Sequence, residues 1–204
     1  SEFDQFDNWS WEQEQTRGPR PLSPGQFFMD GWEVVGSLGA GGFGSVYEIR
    51  KAQMGVEKVS AMKIIEIPAE RGAIDAMLSS GASASAVAAE LRSQVSKAIE
   101  EIRSMMVLSS HPAVVRCEDF KVVQYLDDST WDIFIRMEKL IPLDRYLKSQ
   151  PITEEMARKL GATLADLLRL CESKNIMHRD IKPANIFLDD LGNAKLGDFG
   201  LSRQ

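Results

Sequence analysis

The sequence predicts an α+β fold of two unlike lobes, a β-rich first lobe with one long helix and a mostly helical second lobe with short strands. Three observations carry this. Strand-like apolar stretches dominate from Trp32 to Met137. One helical stripe interrupts them, with Val87, Leu91, Val95, Ala98, Ile102 and Met105 recurring every three or four residues. A second stripe, Met156, Leu160, Leu164, Leu167 and Cys171, precedes two short strand candidates.

The 204 residues suffice for one substantial domain or two small lobes sharing a cleft. With 44% hydrophobic and 26% charged residues, the chain is globular, which excludes wholesale disorder and collagen-like repeats. No apolar run reaches the length of a membrane span, and no basic-then-apolar signal segment opens the sequence. Lys and Arg number 24 against 30 Asp and Glu, a net charge of −6, which argues against nucleic acid as a partner. Cys117 and Cys171 lie far apart and form no CxxC pair, so a reducing, cytoplasmic setting is expected. With only His111 and His178 beside them, a zinc cage is excluded.

Along the chain, residues 1–31 stand apart. Acidic residues and the stretch Gly18-Pro19-Arg20-Pro21-Leu22-Ser23-Pro24-Gly25 show no periodicity, so a loosely ordered leader is expected. Its aromatics Phe3, Phe6 and Trp9 are candidates for docking on the domain or a partner. Val34-Val35 leads into a glycine-dense loop and Val46-Tyr47-Glu48-Ile49 leaves it, both as strands. Val59 to Ile65 reads as a buried strand. Residues 69–84, rich in Ala, Ser and Gly, are either a weak helix or a flexible insert. The long helix spans about 85–108, and His111-Pro112 lies just beyond its end. Strands are expected over 114–123 and 133–137. A helix begins at Thr153, an N-cap followed by Glu154 and Glu155, which complement the helix dipole. Ile186-Phe187-Leu188 and Ala194-Lys195-Leu196 close the order as short strands.

Four features carry chemistry. Gly39-Ala40-Gly41-Gly42-Phe43-Gly44-Ser45-Val46 fits G-x-G-x-x-G-x-V, where missing side chains let backbone N–H groups approach phosphate oxygens. Dinucleotide-binding folds share the spacing but need a helix next, and here a strand follows, so the loop reads as a hairpin lid. Lys63 sits inside an apolar strand and needs an acidic partner or a route to the surface. On the long helix Glu101 falls about 70° from the centre of the apolar stripe and Glu100 about 170°, which favours Glu101 as that partner. His178-Arg179-Asp180-Ile181-Lys182-Pro183-Ala184-Asn185 brings a carboxylate, an ammonium and an amide together if it forms a tight loop. Asp198-Phe199-Gly200 follows, and its carboxylate with the Asn185 amide oxygen suits a hard cation such as Mg²⁺.

These pieces occur in the order of the protein-kinase signature set. From about Trp32 to Gln204 the chain resembles a eukaryotic-type Ser/Thr protein kinase, with Lys182 the residue typical of the Ser/Thr branch. The resemblance implies a complete β-rich N-lobe over about 32–138, a hinge over about 138–142 and a partial helical C-lobe over 143–204. It implies ATP and Mg²⁺ as cofactors and a protein Ser/Thr hydroxyl as acceptor. By the same resemblance Lys63 holds the α- and β-phosphates and pairs with Glu101, and Asp180 accepts the substrate proton. Lys182 steadies the transferring phosphoryl group, and Asn185 and Asp198 bind the metal. Leu38 and the loop Gly39 to Val46 cover the nucleotide. Val46, Ala61 and Phe187 sandwich adenine, Met137 is the gatekeeper, and the backbone from Glu138 to Leu140 meets the base. Met105, Cys117, His178 and Phe199 form an internal spine.

The chain departs from the family pattern in places. Lys139-Leu140-Ile141-Pro142-Leu143-Asp144 is shorter than the usual Gly-rich turn, with Pro142 where a ribose-binding acid often lies and Asp144 as a weak substitute. Glu101 lies one residue further from His111-Pro112 than usual. The sequence ends four residues after Gly200, before the activation segment and the later C-lobe helices. A truncated domain that binds nucleotide without transferring phosphate is therefore the alternative reading.

Overall fold

The computed structural model describes residues 9–41, 44–177 and 181–197. The chain divides into two compact units, Ser1–Ile99 with Asp119–Arg136, and Glu100–Glu118 with Met137–Gln204.

Seven strands, most of whose residues lie in the first unit, make one sheet among the described residues. They are β1 (Glu12–Glu14), β2 (Phe27–Phe28), β3 (Trp32–Gly41), β4 (Gly44–Gln53), β5 (Val56–Ile67), β6 (Cys117–Tyr125) and β7 (Trp131–Glu138), ordered β1-β6-β7-β5-β4-β3-β2. Period-2 alternation sorts β4 and β5 into two faces. Tyr47 lies opposite Met62 and Ser45 opposite Ile64. Tyr47, Met62 and Ile64 join Trp32, Val34, Ile49, Val123, Tyr125 and Phe134 in a buried cluster. On the other face Val46 lies opposite Lys63 and Glu48 opposite Ala61.

The leader departs from expectation. Residues 9–31 are not a loose lead-in but part of this unit. β1 adds to the sheet edge parallel to β6, with Glu12 opposite Val123 and Glu14 opposite Tyr125. Leu22 enters the core cluster. The physical cause is Asp132, fully buried (0% exposed) in the apolar strand β7. An unpaired carboxylate there is costly. Arg17 reaches its Oδ1 at 2.9 Å, Arg20 pairs with Oδ2, and Tyr125 donates its phenolic O–H to Oδ2 at 2.9 Å. Burial still pushes the Asp132 carboxyl upward, against the two guanidiniums that hold it down.

The undecided stretch contains a helix, α1 (Ala73–Ser79), which buries no side chain. The long helix α2 (Ala84–Leu108) forms where the stripe predicted it, with Leu91, Val95, Ile99, Ile102 and Met105 all buried.

The second unit contains a three-stranded sheet, β10-β9-β8, among the described residues: β8 (Ile141–Pro142), β9 (Ile186–Leu188) and β10 (Ala194–Leu196). The helices are α3 (Leu143–Ser149) and α4 (Glu154–Ser173). Thr153 caps α4 as predicted, its Oγ1 accepting from the Met156 N–H at 3.1 Å. Leu167 and Cys171 are the buried part of its stripe. β8 and α3 occupy the segment read as a hinge turn, because Pro142 ends one strand and caps the next helix. Residues 114–116, expected to start the strand β6, are not part of it: the segment from Ala113 to Val115 hydrogen-bonds to β10 and Arg116 to Glu138. Leu196 N–H donates to Ala113 at 2.8 Å and Val115 N–H to Leu196 at 3.0 Å. The His111-Pro112 turn delays β6, with the Ala113 N–H bonded to His111 Nδ1 at 3.0 Å. This is why Glu100–Glu118 belongs with the second unit rather than with the predicted first lobe.

Candidate active site

In the first unit the glycine loop is the β3–β4 hairpin. The strands run antiparallel until Gly41 faces Gly44. Gly42 and Phe43 lie outside the described residues, as does the side chain of Ala40. The structure refines why glycines occur here. Gly44 has φ 118°, and a Cβ there would sit 2.0 Å from the Ile64 carbonyl oxygen, so the close approach of β4 to β5 demands glycine. At Gly39 an added Cβ meets nothing within 4 Å. One glycine serves the fold, and the other leaves open space beside the hairpin. Leu38, Ser45 and Val46 are half-buried.

Lys63 is 5% exposed and lies directly across from Val46, on the same sheet face as Ala61. That buries an ammonium at the base of the hairpin, so the reading of a lysine snorkelling from an edge strand fails: β5 lies between β7 and β4. On α2, Glu101 is half-buried and Glu100 exposed, in the order the helical-face geometry predicted.

In the second unit Lys182 leads into a 3-10 turn, Pro183–Asn185, closed by Asn185 N–H donating to the Lys182 carbonyl at 2.9 Å. The tight loop that the sequence required is thus present from Lys182 onward. Asn185 is 6% exposed. Its carbonyl accepts from Gly197 N–H at 2.9 Å, and Ile186 pairs with Leu196. Antiparallel pairing therefore brings Asn185 beside the residue that precedes Asp198. Asp198, Phe199 and Gly200 lie outside the described residues, as do His178, Arg179 and Asp180. Lys182 is exposed and Phe187 half-buried.

The spine candidates Met105 and Cys117 are both buried and share a connector. The Ser109 hydroxyl donates to the Met105 carbonyl at 2.8 Å and accepts from Cys117 N–H at 3.2 Å.

Met137 and Leu140 are half-buried. Glu138 makes contacts that sequence reasoning did not find. Its carboxylate accepts from Lys195 Nζ at 2.8 and 3.1 Å and from Arg116 N–H at 2.8 Å, while its own N–H donates to the Arg116 carbonyl at 3.0 Å. Those contacts lie within the second unit, to which Arg116, Glu138 and Lys195 all belong. The signal available beforehand was Lys195 alone, a cation in a short apolar strand. Pro142 lies opposite Phe187 in the β8–β9 pair. Asp144 accepts from its neighbour Arg145 N–H at 2.7 Å in the first turn of α3. Among the described residues no group of three or more His, Cys, Asp or Glu is placed to hold a metal, and no helix is long and apolar enough to cross a membrane.

The glycine hairpin and Lys63 belong to the first unit, and Glu101 and the Asn185 turn to the second. The family model for the protein kinase domain matches residues 32–204, and the chain belongs to that family. It is 37% identical over 112 residues to the CBL-interacting serine/threonine-protein kinase 8 of Arabidopsis thaliana, an alignment covering 52% of this chain and 24% of that protein. It is 31% identical over 174 residues to the CBL-interacting protein kinase 8 of Oryza sativa subsp. japonica, covering 84% and 33%. A crystal structure of the Mycobacterium tuberculosis PknI kinase domain matches with a TM-score of 0.57 at 21% identity, covering 90% of this chain and 66% of that one, a likeness of fold. The chain spans about a quarter to a third of the length of these two curated relatives.

Proposed function

We propose that this domain transfers the γ-phosphate of ATP to Ser or Thr hydroxyls of proteins, with Mg²⁺. The observation that carries the reading is Lys63, a cation buried at the base of a glycine hairpin and directly across from Val46. Burying an ammonium there is costly unless it answers negative charge. A triphosphate supplies that charge, and Glu101, on the bordering face of α2, is assigned as its acidic partner.

In the transfer the acceptor oxygen bonds to the γ-phosphorus, the bond from that phosphorus to the bridging oxygen breaks, and ADP leaves. Asp180 takes the hydroxyl proton, and Lys182 balances charge on the transferring group. Asn185 and Asp198 would hold the metal. Their donors are oxygens only, as Mg²⁺ prefers, and Asn185 sits buried at a fixed turn. When bound, the ion neutralises phosphate charge. Leu38 and residues Gly39 to Val46 are assigned to cover the phosphates, and Ala61, Met137, Glu138, Leu140 and Phe187 to contact the base. Cys117 and Cys171, both buried thiols, suit the reducing conditions of the cytoplasm.

The experiment is transfer from γ-labelled ATP to a generic protein by the longest natural polypeptide that carries this sequence, followed by phosphoamino-acid analysis. Phosphoserine and phosphothreonine are expected. Label confined to tyrosine or to a small-molecule acceptor overturns the assignment.

A further inference from the structure

A cavity of about 450 Å³ lies in the first unit, between residues 14–31 and the strands β6 and β7. It touches both edges of the seven-stranded sheet, since Glu14 belongs to β1 and Phe28 to β2, the first and last strands in its order. The sheet is therefore rolled far enough for its edge strands to flank one space, a place where barrels commonly take small ligands. The floor is apolar: Leu22, Val123, Tyr125 and Phe134 are 1–7% exposed, and Phe28 packs on Phe134 with ring centroids 5.7 Å apart. The roof is prebuilt, because Arg20 pairs with buried Asp132 and the Leu22 N–H donates to the Tyr47 hydroxyl at 3.1 Å. Four charged side chains line the space. The two cations are engaged, Arg20 by Asp132 and Lys121 by Glu12 at 2.9 Å. The carboxylates of Glu14 and Asp30 have no ion-pair or hydrogen-bond partner among the described residues. Lys51 donates to the Asp30 carbonyl at 2.7 Å and not to its carboxylate. The wall is also strained: Met29 and Asp30 take left-handed backbone, φ 45° and 61°, which a methionine rarely adopts. Strain of that kind collects at ligand clamps.

We propose that this cavity binds a small organic cation with an apolar body, of the arylalkylammonium class. The body covers the apolar floor and displaces water from it. The ammonium meets Glu14 and Asp30, and the phenylalanine rings present faces that attract a cation. An anion fits poorly, because it competes with Asp132 for Arg20, and an unpaired carboxylate buried at 0% exposure is costly. A protein segment fits poorly too, since the floor residues lie nearly buried beneath residues 14–31 and not along an open groove. The lining lies wholly in the first unit and shares no residue with the set assigned to the nucleotide. The proposal therefore stands apart from the kinase reading.

The test is titration calorimetry with methyl NMR on the longest natural polypeptide, using three probes of one shape: 3-phenylpropylammonium, 3-phenylpropan-1-ol and 3-phenylpropanoate. The ammonium is expected to bind with a dissociation constant on the order of 0.1 mM, about tenfold more tightly than the alcohol. The carboxylate should show no saturable binding. Nuclear Overhauser contacts from the ring protons to the methyl groups of Leu22 and Val123 are expected to place the ligand. Glu14→Gln combined with Asp30→Asn should abolish the preference for the ammonium over the alcohol with the melting temperature held, because asparagine takes left-handed backbone readily. Should that pair unfold, Glu14→Gln alone, at an exposed position of β1, is expected to reduce the preference to about threefold. Addition of ADP and Mg²⁺ should leave the binding unchanged. No binding by any probe, equal affinity for ammonium and alcohol, or an undiminished preference in the variants overturns the proposal. Contacts confined to other methyl groups, or displacement by ADP, overturn it as well. A peptide carrying Lys and Phe that binds more than about tenfold tighter than the ammonium also overturns it, in favour of a protein partner.

Discussion

Asp180→Asn is expected to lower kcat by roughly 10²–10⁴-fold while leaving ATP affinity near wild type. The substitution preserves shape and hydrogen-bonding reach but removes the group proposed to accept the hydroxyl proton. Two residues on, Lys182 begins the turn closed by the Asn185 N–H, and Asn185 is in turn tied to Gly197. Lys182 carries an ammonium and Asn185 an amide, neither of which accepts a proton at neutral pH. Steady-state kinetics on the longest natural polypeptide decides it, with far-ultraviolet circular dichroism as the check of folding. Equal turnover by both proteins removes Asp180 from the mechanism.

Lys63→Met separates catalysis from stability in the opposite way to most core substitutions. Lys63 is buried in the middle of β5, and Met has nearly its length without its charge. Exchanging a buried ion for an apolar group of similar volume is commonly neutral or mildly stabilising, so the melting temperature should hold or rise slightly. Transfer should fall by about 10²–10³-fold, because the charge that orients and neutralises the phosphates is gone. A variant that keeps its turnover shows that Lys63 is only a core residue. A variant that loses activity by unfolding shows that the ammonium is structural, held by protein partners alone.

Much of the fold was legible because local pattern and tertiary burial agree. α2 follows an apolar stripe whose members are all buried, α4 starts at a threonine cap with the required hydrogen bond, and β9 and β10 fall on their predicted residues. What was not legible depends on partners distant in sequence. Asp132 in an apolar run announces that cations must reach it, yet nothing local says that they are Arg17 and Arg20 from more than a hundred residues earlier. Without that pairing, the leader reads as an acidic, proline-rich tail rather than as a sheet strand. The same holds for Glu138, whose carboxylate is held by Lys195 and the Arg116 amide. The proposed site rests on a set of motifs, since G-x-G-x-x-G, the strand lysine and the run from His178 to Asn185 are local signals. The helical-face argument chose Glu101 over Glu100, matching their burial. Sequence spacing did not distinguish a glycine demanded by the backbone, Gly44, from one that leaves space, Gly39. That distinction arises from how closely β5 approaches.

The central claim is that Lys63, Asn185 and Asp198 together receive a metal-bound triphosphate, and titration calorimetry of the longest natural polypeptide with ATP, with and without Mg²⁺, tests it most directly. Saturable heat that strengthens when Mg²⁺ is added, and that weakens for Asn185→Ala only in the presence of the metal, is the predicted result. No saturable heat in either condition, or binding indifferent to Mg²⁺, contradicts it.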